Sequence, residues 1–256
     1  MASAKDIIVK PIKAATANAV VKKIHYSGKV VQNSQLHFGV FLNGKLEGAM
    51  QFGPPINKKG TLAIVKGTKW GGMIELNRMA FSDALPKNSE SRAMGVVFRL
   101  IKKMYPQIEW VVSFSDGTQC GDGTIYRAAG FTLTDIRKSD ALRRNPSTGE
   151  VMHVIQAHHL MMSKEFRTWE PTKGFQLRYV YFINKAAKDR LAVPILPFSK
   201  IDEVGAGMYK GERLTIAERK GTIENKRVNE ANSSDQLESG GATPTHTLQS
   251  NGAGHD

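Results

Sequence analysis

The fold of this 256-residue chain is decided by the segment that begins with MIELNRMAF (Met73–Phe81) and ends with WVVSF (Trp110–Phe114). Both ends have the apolar, β-favouring composition of strands. Between them, apolar side chains recur at helical spacing, namely at Met94, Val97, Phe98, Ile101 and Tyr105. A strand, a loop, a helix and a second strand in this order predict a β-α-β unit with the helix packed against the sheet.

A β-hairpin is predicted on the N-terminal side of this unit. Its strands are HFGVFL (His37–Leu42) and GAMQF (Gly48–Phe52), joined at Asn43-Gly44, the dipeptide that a type I′ turn prefers. On the C-terminal side, a glycine-rich turn over residues 116–123 leads into a short helix that ends at Ala129.

The remaining segments complete one predicted fold. Strands are predicted at residues 151–155 and 176–183, and residues 193–198 are predicted to lie extended over the surface. The whole pattern predicts an α/β (α+β) fold, with a mixed central sheet flanked by helices, within residues 1–220. Residues 221–256 are rich in Asn, Ser, Gly and Thr and poor in apolar side chains, so we predict a disordered tail there.

The predicted folded part is strongly basic. The chain has a formal net charge of +13, and residues 221–256 contain two Lys or Arg against five Asp or Glu. Residues 1–220 therefore contain 34 basic and 18 acidic residues, a net charge of +16. Such an excess favours a polyanionic partner, and nucleic acid is the usual one.

The composition predicts a cytoplasmic protein without a membrane partner. No run of about 18 apolar residues occurs, and Met1–Asp6 lacks the apolar segment of a secretory signal. The single cysteine, Cys120, cannot form an internal disulfide, which is typical of a reducing compartment. Cys120 is interpreted as an inert loop residue, and a nucleophile is the alternative.

Polar residues at the ends of two adjacent predicted strands are candidates for one site, because ligands of open α/β sheets bind at strand ends. Arg78 lies near the end of the first strand, and Ser113, Ser115 and Asp116 end the second. Asp116 is a partly buried base, a residue that holds a partner's proton in place, or a structural part of the Asp-Gly turn.

The first of these strands also carries polar residues on one predicted face. Glu75 and Asn77 alternate with apolar residues, which places them opposite the core, and Met79 continues their face. If helices cover this face, the Glu75 carboxylate needs Arg78 or a ligand amine as its partner. Alternatively, Glu75 lies on a solvated or ion-paired face of the strand.

A histidine follows the first predicted helix, which spans residues 16–24. His25 can exchange a proton near neutral pH, and the phenol of Tyr26 can donate a hydrogen bond to a developing oxyanion. A histidine at a helix C-terminus is equally expected as a cap that favours the helix dipole. The sequence contains no His-x-x-x-His or Cys-x-x-Cys pair, so no metal site is predicted.

The start of the helix in the β-α-β unit is a candidate anion site. Free backbone N–H groups and the helix dipole bind phosphate at such a position, assisted here by Lys87 and Arg92. Ordinary capping by Asn88 or Ser89, with Glu90 in the first turn, explains the same residues.

Five short motifs carry a resemblance to a known family. The stretch GTIYRAAGF (Gly123–Phe131) resembles the Tyr-x-x-x-Gly-Phe signature of the GNAT acyltransferase core, in which the tyrosine lies by the leaving thiolate. Joined to HYSG (His25–Gly28), ELNRM (Glu75–Met79), LPKNSES (Leu85–Ser91) and SFSDG (Ser113–Gly117), it is similar to the phage Mom family of DNA-modification proteins.

The resemblance implies a GNAT-like fold that attaches a carbamoylmethyl group to the exocyclic amine of adenine in DNA, which shields phage DNA from host restriction. The catalytic candidates carried over by position are His25, Tyr26, Arg78, Asp116 and Tyr126. The implied roles are a base on the amine for His25 or Asp116, and an acid toward the leaving group for Tyr126. Arg78 would orient the substrate or contact a phosphate.

The donor remains open. GNAT enzymes receive the pyrophosphate of coenzyme A on a glycine-containing loop, whereas residues 86–92 contain no glycine, so their side chains crowd a pyrophosphate. The alternatives are acetyl-coenzyme A, a glycyl donor such as glycyl-tRNA, and an iron-assisted route for which the sequence offers no ligand set. The candidate donor-binding residues are Lys87, Asn88, Ser89, Ser91, Arg92 and Ser113.

Chemistry on an adenine amine requires an unpaired or flipped base, on which Tyr26, Phe52 or Trp70 could stack. Two other functions fit the sequence. One is a GNAT-type N-acyltransferase that acts on a protein or small amine and needs no DNA. The other is a basic DNA-binding protein with idle catalytic residues. Asp116 and Tyr126 beside a glycine-rich turn favour an enzyme, because a binding surface has no need of them.

Overall fold

The computed structural model describes residues 2–117, 121–139, 142–172 and 174–207. Cys120 and the predicted tail at 221–256 lie outside these ranges. The strands within them are β1 (Ile8–Pro11), β2 (Leu36–Leu42), β3 (Lys45–Gly53), β4 (Met73–Phe81), β5 (Trp110–Asp116), β6 (Thr132–Ser139), β7 (Leu142–Arg144), β8 (Val151–His153), β9 (Glu170–Pro171) and β10 (Gly174–Phe182). The α-helices are α1 (Ala14–Ile24), α2 (Lys58–Leu62), α3 (Ser89–Met104), α4 (Thr124–Ala128), α5 (Val154–His159), α6 (Ser163–Phe166) and α7 (Ser199–Glu203).

Seven strands form the main sheet in the order β1-β2-β3-β4-β5-β10-β6. Neighbours are antiparallel except β4 and β5, which are parallel and connected through α3. The predicted β-α-β unit and the mixed α/β sheet are thereby confirmed. A second sheet, in the order β8-β7-β9, is formed by residues between β6 and β10.

The hairpin of β2 and β3 forms where the sequence predicted it. Leu42 pairs with Lys45, and the two turn residues have positive φ angles, 50° at Asn43 and 79° at Gly44. A type I′ turn requires this geometry at both positions, and Asn-Gly tolerates it at the lowest cost. The dipeptide therefore sets the register next to the turn, and the register shifts once further along, between Val40 and Phe41.

Apolar side chains fill both faces of the main sheet. On one face α3 buries a continuous stripe, formed by Ala93, Met94, Val97, Phe98 and Ile101. Each large side chain in such a stripe stabilises the fold by roughly 1.5–3 kcal/mol. The opposite face has a smaller core around Trp110 and Val112. α1 also lies on that opposite face, where Asn18 Oδ1 accepts a hydrogen bond from Gln51 Nε2 at 2.8 Å.

The strand predicted at residues 151–155 is shorter than expected, and this part of the prediction is wrong. β8 pairs only with the three residues of β7, and the chain continues from Val154 as α5. The helix buries Ala157 against Phe166 and Trp169 in a small separate core. Apolar contacts that form only in the folded protein thus override the β-favouring local sequence.

None of the helices in the described ranges is both long enough and apolar enough to cross a lipid bilayer.

Candidate active site

The candidate site lies where β4 and β5 separate. The two strands pair at Met73–Trp110, Ile74–Val111 and Glu75–Val112, and in the described residues no pair follows. Paired residues point to the same face of a sheet, so Glu75 shares a face with Val112 and, by alternation along β5, with Phe114 and Asp116. Glu75 and Asp116 therefore flank one gap, on the face that carries α1.

A β-bulge at Asn77 determines which side chains reach this face. Gln51 pairs with Arg78 and the next residue of β3, Phe52, pairs with Leu76, which leaves Asn77 as the extra residue. The bulge places Arg78 on the α1 face and returns Met79 to the main core. The prediction that Met79 continues the polar face is therefore wrong, because one inserted residue reverses the alternation.

The loop that follows α1 is fastened to the bulge. Arg78 Nε donates to the carbonyl of Lys29 at 2.9 Å, and Arg78 Nη1 donates to the carbonyl of Asn77 at 2.7 Å. Ser34 Oγ donates to Asn77 Oδ1 at 3.1 Å. These bonds hold His25 and Tyr26, at the start of the loop, beside β4.

His25 is a neutral imidazole in this setting. Burial, and then the nearby charge of Arg78, lower its pKa from 6.5 to about 4. The backbone N–H of Ser27 donates to Nδ1 at 3.2 Å, and the Ser27 hydroxyl lies 2.8 Å from the same atom. Nδ1 is thus an acceptor and the proton resides on Nε2. A neutral imidazole does not act as a cationic helix cap, and its Nε2–H can donate a hydrogen bond.

The His25→Gln variant is expected to lose less stability in acid than the wild type. Between pH 6.5 and 4 the unfolded chain protonates His25 while the folded protein resists it, so the wild-type free energy of unfolding falls through this window. The variant should avoid about 2 kcal/mol of that loss. Urea unfolding at pH 7.5 and 4.5 measures it, with exposed His158→Gln as the control. An equal fall in the free energy of unfolding from pH 7.5 to 4.5 in the wild type and both variants would contradict the lowered pKa of His25.

Glu75 is the carboxylate at the last paired position of β4. Burial raises its pKa from 4.5 to about 7, although a hydrogen bond from the Asn77 side chain and the charge of Arg78 act in the opposite direction. A carboxyl group with a pKa near neutral can both take and release a proton at physiological pH, which is the property of a general base.

A pocket of about 180 Å³ lies at the end of β5. It is lined by Tyr26, Phe114, Ser115, Asp116, Leu142, Phe175 and Gln176, and we call it the Tyr26 pocket. Tyr26 is 64% exposed, and its ring lies 4.3 Å from that of His25, centroid to centroid. An exposed aromatic ring opposite a carboxylate suits a flat ligand with an amine, which stacks on the ring and donates to the acid.

Tyr126 approaches the gap from the opposite face of the sheet. Its phenolic oxygen lies 3.0 Å from Ser113 Oγ, and Ser113 in turn donates to the carbonyl of Leu76 at 3.4 Å. In the shorter of these contacts Ser113 donates to Tyr126, so the phenolic oxygen is the acceptor of the pair and the phenolic proton is not used in it. The ring of Tyr126 stacks on the ring of buried Tyr179, with 4.2 Å between the ring centroids and 6° between the ring planes. This stacking fixes the position of Tyr126.

The start of α3 borders a second pocket, of about 420 Å³. It is lined by Ala4, Asn88, Ser91, Arg92, Gly95, Arg99 and Ala128, and we call it the α3 pocket. Asn88 has a φ of 70°, and its side chain makes no capping hydrogen bond. Buried Ser89 Oγ has no partner among the described residues. Within the described residues, neither side chain caps the helix, and the anion site at this position stays a prediction.

The structure groups the predicted site residues into three sets. His25, Tyr26, Arg78 and Asp116 lie on the α1 face, Ser113 and Tyr126 lie on the other face of the same gap, and Asn88, Ser91 and Arg92 line the α3 pocket. Lys87 and Ser89 adjoin that pocket in sequence and do not line it. Arg78 contacts the loop after α1 and is not part of the Tyr26 pocket lining.

Two residues escaped the sequence-based selection of the site. Glu75 was noted only as a residue on a strand face, since nothing in the sequence shows that burial moves its pKa. Tyr179, from the run YVYF, was placed in a strand, and its stacking on Tyr126 depends on β10 pairing with β5. In the part of the chain that the structure describes, His, Cys, Asp and Glu form no group of three that could hold a metal ion.

The mixed sheet, with its single parallel pair that separates at Glu75 and the tyrosine after β5, agrees with the GNAT-like fold that the sequence motifs predicted. A sequence profile described as the Mom protein family matches residues 6–200. This chain belongs to the Mom family, and the resemblance found in its motifs is confirmed. Methylcarbamoylase mom of Escherichia phage Mu is 35% identical to it over 198 residues, 73% of this chain and 80% of that protein.

Solved structures of acetyltransferases also align with the chain. The ribosomal-protein-S18-alanine N-acetyltransferase of Escherichia coli is 10% identical, with 69% of this chain and 94% of that chain covered at a TM-score of 0.41. The polyamine N-acetyltransferase of Drosophila melanogaster is 11% identical, with 69% and 100% covered at a TM-score of 0.42.

Proposed function

We propose that the protein attaches a carbamoylmethyl group to the exocyclic amine of adenine in DNA. The observation that carries this proposal is the gap between β4 and β5, with Glu75, Asp116 and exposed Tyr26 on one face and the Ser113–Tyr126 pair on the other. Membership in the family that includes the phage Mu methylcarbamoylase supports the transferred group. The net charge of +16 in residues 1–220 supports a nucleic acid as the acceptor.

The residues on the α1 face would handle the base. A flipped adenine would stack on Tyr26, and its amine would donate to Asp116. As the amine nitrogen bonds to the donor carbon, Glu75 would take the proton that the nitrogen loses. Neutral His25 would donate from Nε2 to the substrate, which replaces the role of a base that its sequence position suggested. Arg78 would orient this face through its bond to Lys29.

The residues on the other face would serve the donor. Tyr126 holds a phenolic proton at the gap for the departing group, and Ser113 orients it. The guanidinium groups of Arg92 and Arg99 and the hydroxyl of Ser91 line the α3 pocket, and with Lys87 they fit a phosphate-bearing donor such as acetyl-coenzyme A or glycyl-tRNA. When bound, a glycyl donor would supply the carbonyl carbon that the amine attacks, while the bond from this carbon to the tRNA oxygen breaks and that oxygen takes the Tyr126 proton. The glycyl group so transferred has the same atoms as a carbamoylmethyl group and would need to rearrange to become one, whereas acetyl-coenzyme A would leave an acetyl group, which contains no nitrogen.

Mass spectrometry of nucleosides from plasmid DNA tests this function. Cells that express the wild-type chain should contain a deoxyadenosine heavier by one carbamoylmethyl group. The Asp116→Ala variant should lack it, whereas the exposed Asp83→Ala control should retain it. Unmodified adenine from folded wild-type protein would instead favour an N-acyltransferase that acts on a protein or small amine.

A further inference from the structure

We propose that the segment between β3 and β4 is the surface that holds DNA, with Trp70 as a stacking platform for an unpaired base. The surface, which we call the lysine surface, consists of Ile56, Lys58, Lys59, Lys66, Lys69 and Trp70. The choice of DNA as the partner rests on the proposed function, whereas the position of the surface rests on the charges and exposure described next.

The charge of the segment is of one sign. Residues 54–74 contain four lysines and no aspartate or glutamate. Lys59, Lys66 and Lys69 are exposed, and among the described residues none of the four lysines forms an ion pair. Unpaired lysines on one segment provide the electrostatic footprint of a phosphate-binding surface, because each neutralised phosphate releases counterions.

Large apolar side chains stand among these lysines. Trp70 is 65% exposed and Ile56 is fully exposed, and Lys58 Nζ lies 4.3 Å from the centroid of the Trp70 ring. Exposed aromatic rings beside cationic side chains are the elements of single-strand binding sites, in which bases stack on the ring and cations follow the backbone. Ile56 follows Pro54-Pro55, whose rings fix the φ angle at the two positions before it.

The segment is a rigid part of the fold and does not behave as a loose loop. Ile64 and Val65 are buried in the core of the α1 face, and Trp110 Nε1 donates to Thr68 Oγ1 at 3.0 Å. Arg190 Nη1 donates to the carbonyl of Lys66 at 2.8 Å, which joins the segment to residues 185–190. A prearranged surface avoids an ordering cost when DNA binds.

The segment that carries the lysine surface is connected to the candidate active site through β4 and the loop after α1. It begins directly after Gly53, which pairs with Glu75, and the carbonyl of Pro54 accepts from Asn33 of the loop after α1 at 3.3 Å. The same core that supports it contacts Phe114, a residue of the Tyr26 pocket. Thr68 contacts Trp110 at the start of β5, whereas the Tyr26 pocket lies at Asp116, at the end of β5. DNA that contacts both would therefore extend along β5 over roughly 20 Å.

Fluorescence anisotropy with a labelled DNA duplex that contains one unpaired adenine tests the proposal. The Lys59→Ala/Lys69→Ala variant should lower the slope of log affinity against log salt by about 2. The matched control is Lys102→Ala/Lys103→Ala, two exposed lysines at the end of α3 on the other face of the sheet, and it should bind as the wild type does. Trp70→Ala should weaken binding roughly 10-fold, and Trp70→Phe should restore most of it.

Two results would overturn the proposal. One is an equal change of the salt slope in Lys59→Ala/Lys69→Ala and Lys102→Ala/Lys103→Ala, together with a Trp70→Ala variant that binds DNA as the wild type does. The other is a loss of tRNA affinity in the lysine-surface variants with DNA affinity unchanged, which would assign the surface to a tRNA donor. A failure of the proposed function appears separately, as unmodified adenine in cells with the wild-type chain, whatever the binding measurements show.

Discussion

The Glu75→Gln variant is expected to yield at least about 100-fold less modified deoxyadenosine than the wild-type chain, since loss of a general base typically costs this much. Glutamine keeps the shape of the side chain and can still face Asn77, but it cannot take a proton. The fold should therefore survive while proton transfer is lost. Nucleoside mass spectrometry after a fixed time of expression measures the yield, and the exposed Glu150→Gln is the control.

The pH dependence of the purified enzyme separates this role from a merely structural one. Glu75 acts as a base only when ionised, and burial raises its pKa to about 7. The rate should accordingly rise between pH 6 and 8. Wild-type yield and an unchanged pH profile in Glu75→Gln would transfer the base role to Asp116.

Gly123→Ala is expected to destabilise the protein by about 3 kcal/mol and to abolish modification. The residue has a φ of 72°, which costs an L-residue roughly 1–2 kcal/mol. A Cβ at this position would also overlap the Tyr179 hydroxyl and lie 2.8 Å from the ring carbon that bears it. Such crowding adds roughly 1–3 kcal/mol and displaces the ring on which Tyr126 stacks.

Gly130→Ala is the matched control for this substitution. Gly130 has a φ of 83°, and the nearest atom to an added Cβ is a ring carbon of Tyr181 at 3.8 Å. Gly130→Ala therefore has the backbone cost of a positive φ without the overlap of atoms. It should lower the free energy of unfolding, measured in urea, by about 2 kcal/mol less than Gly123→Ala does. The Gly123→Ala/Tyr179→Phe double variant, which lacks the hydroxyl, should recover part of the loss. Equal damage in both single variants would show that crowding is not the cause.

Local patterns predicted the elements that build the site. Asn43-Gly44 fixed the hairpin, the helical spacing of Met94, Val97 and Ile101 identified α3, and the apolar run from Trp110 identified β5. Each of these signals depends on residues that are neighbours in sequence or within one turn of a helix. Elements that depend on such local interactions can be predicted from one amino-acid sequence.

The features that long-range contacts create were not visible. The bulge at Asn77 exists because β3 and β4 pair with a shifted register, and nothing in ELNRM marks it. The pKa of Glu75 depends on burial by the whole sheet, and the stacking of Tyr179 on Tyr126 depends on residues 53 positions apart. The prediction of a strand over residues 151–155 was wrong for the same reason, because contacts in a small separate core favour a helix after His153.

The main sheet separates the two faces from which the proposed reactants approach. Under the proposed roles, adenine approaches from the α1 face and the donor from the face of α3 and α4, and the two meet only where β4 and β5 separate. Mutations around the α3 pocket could then change the donor without altering how DNA is held, and changes in the lysine surface could alter DNA preference without altering the donor. Under these roles, donor and acceptor specificity can therefore change independently of each other.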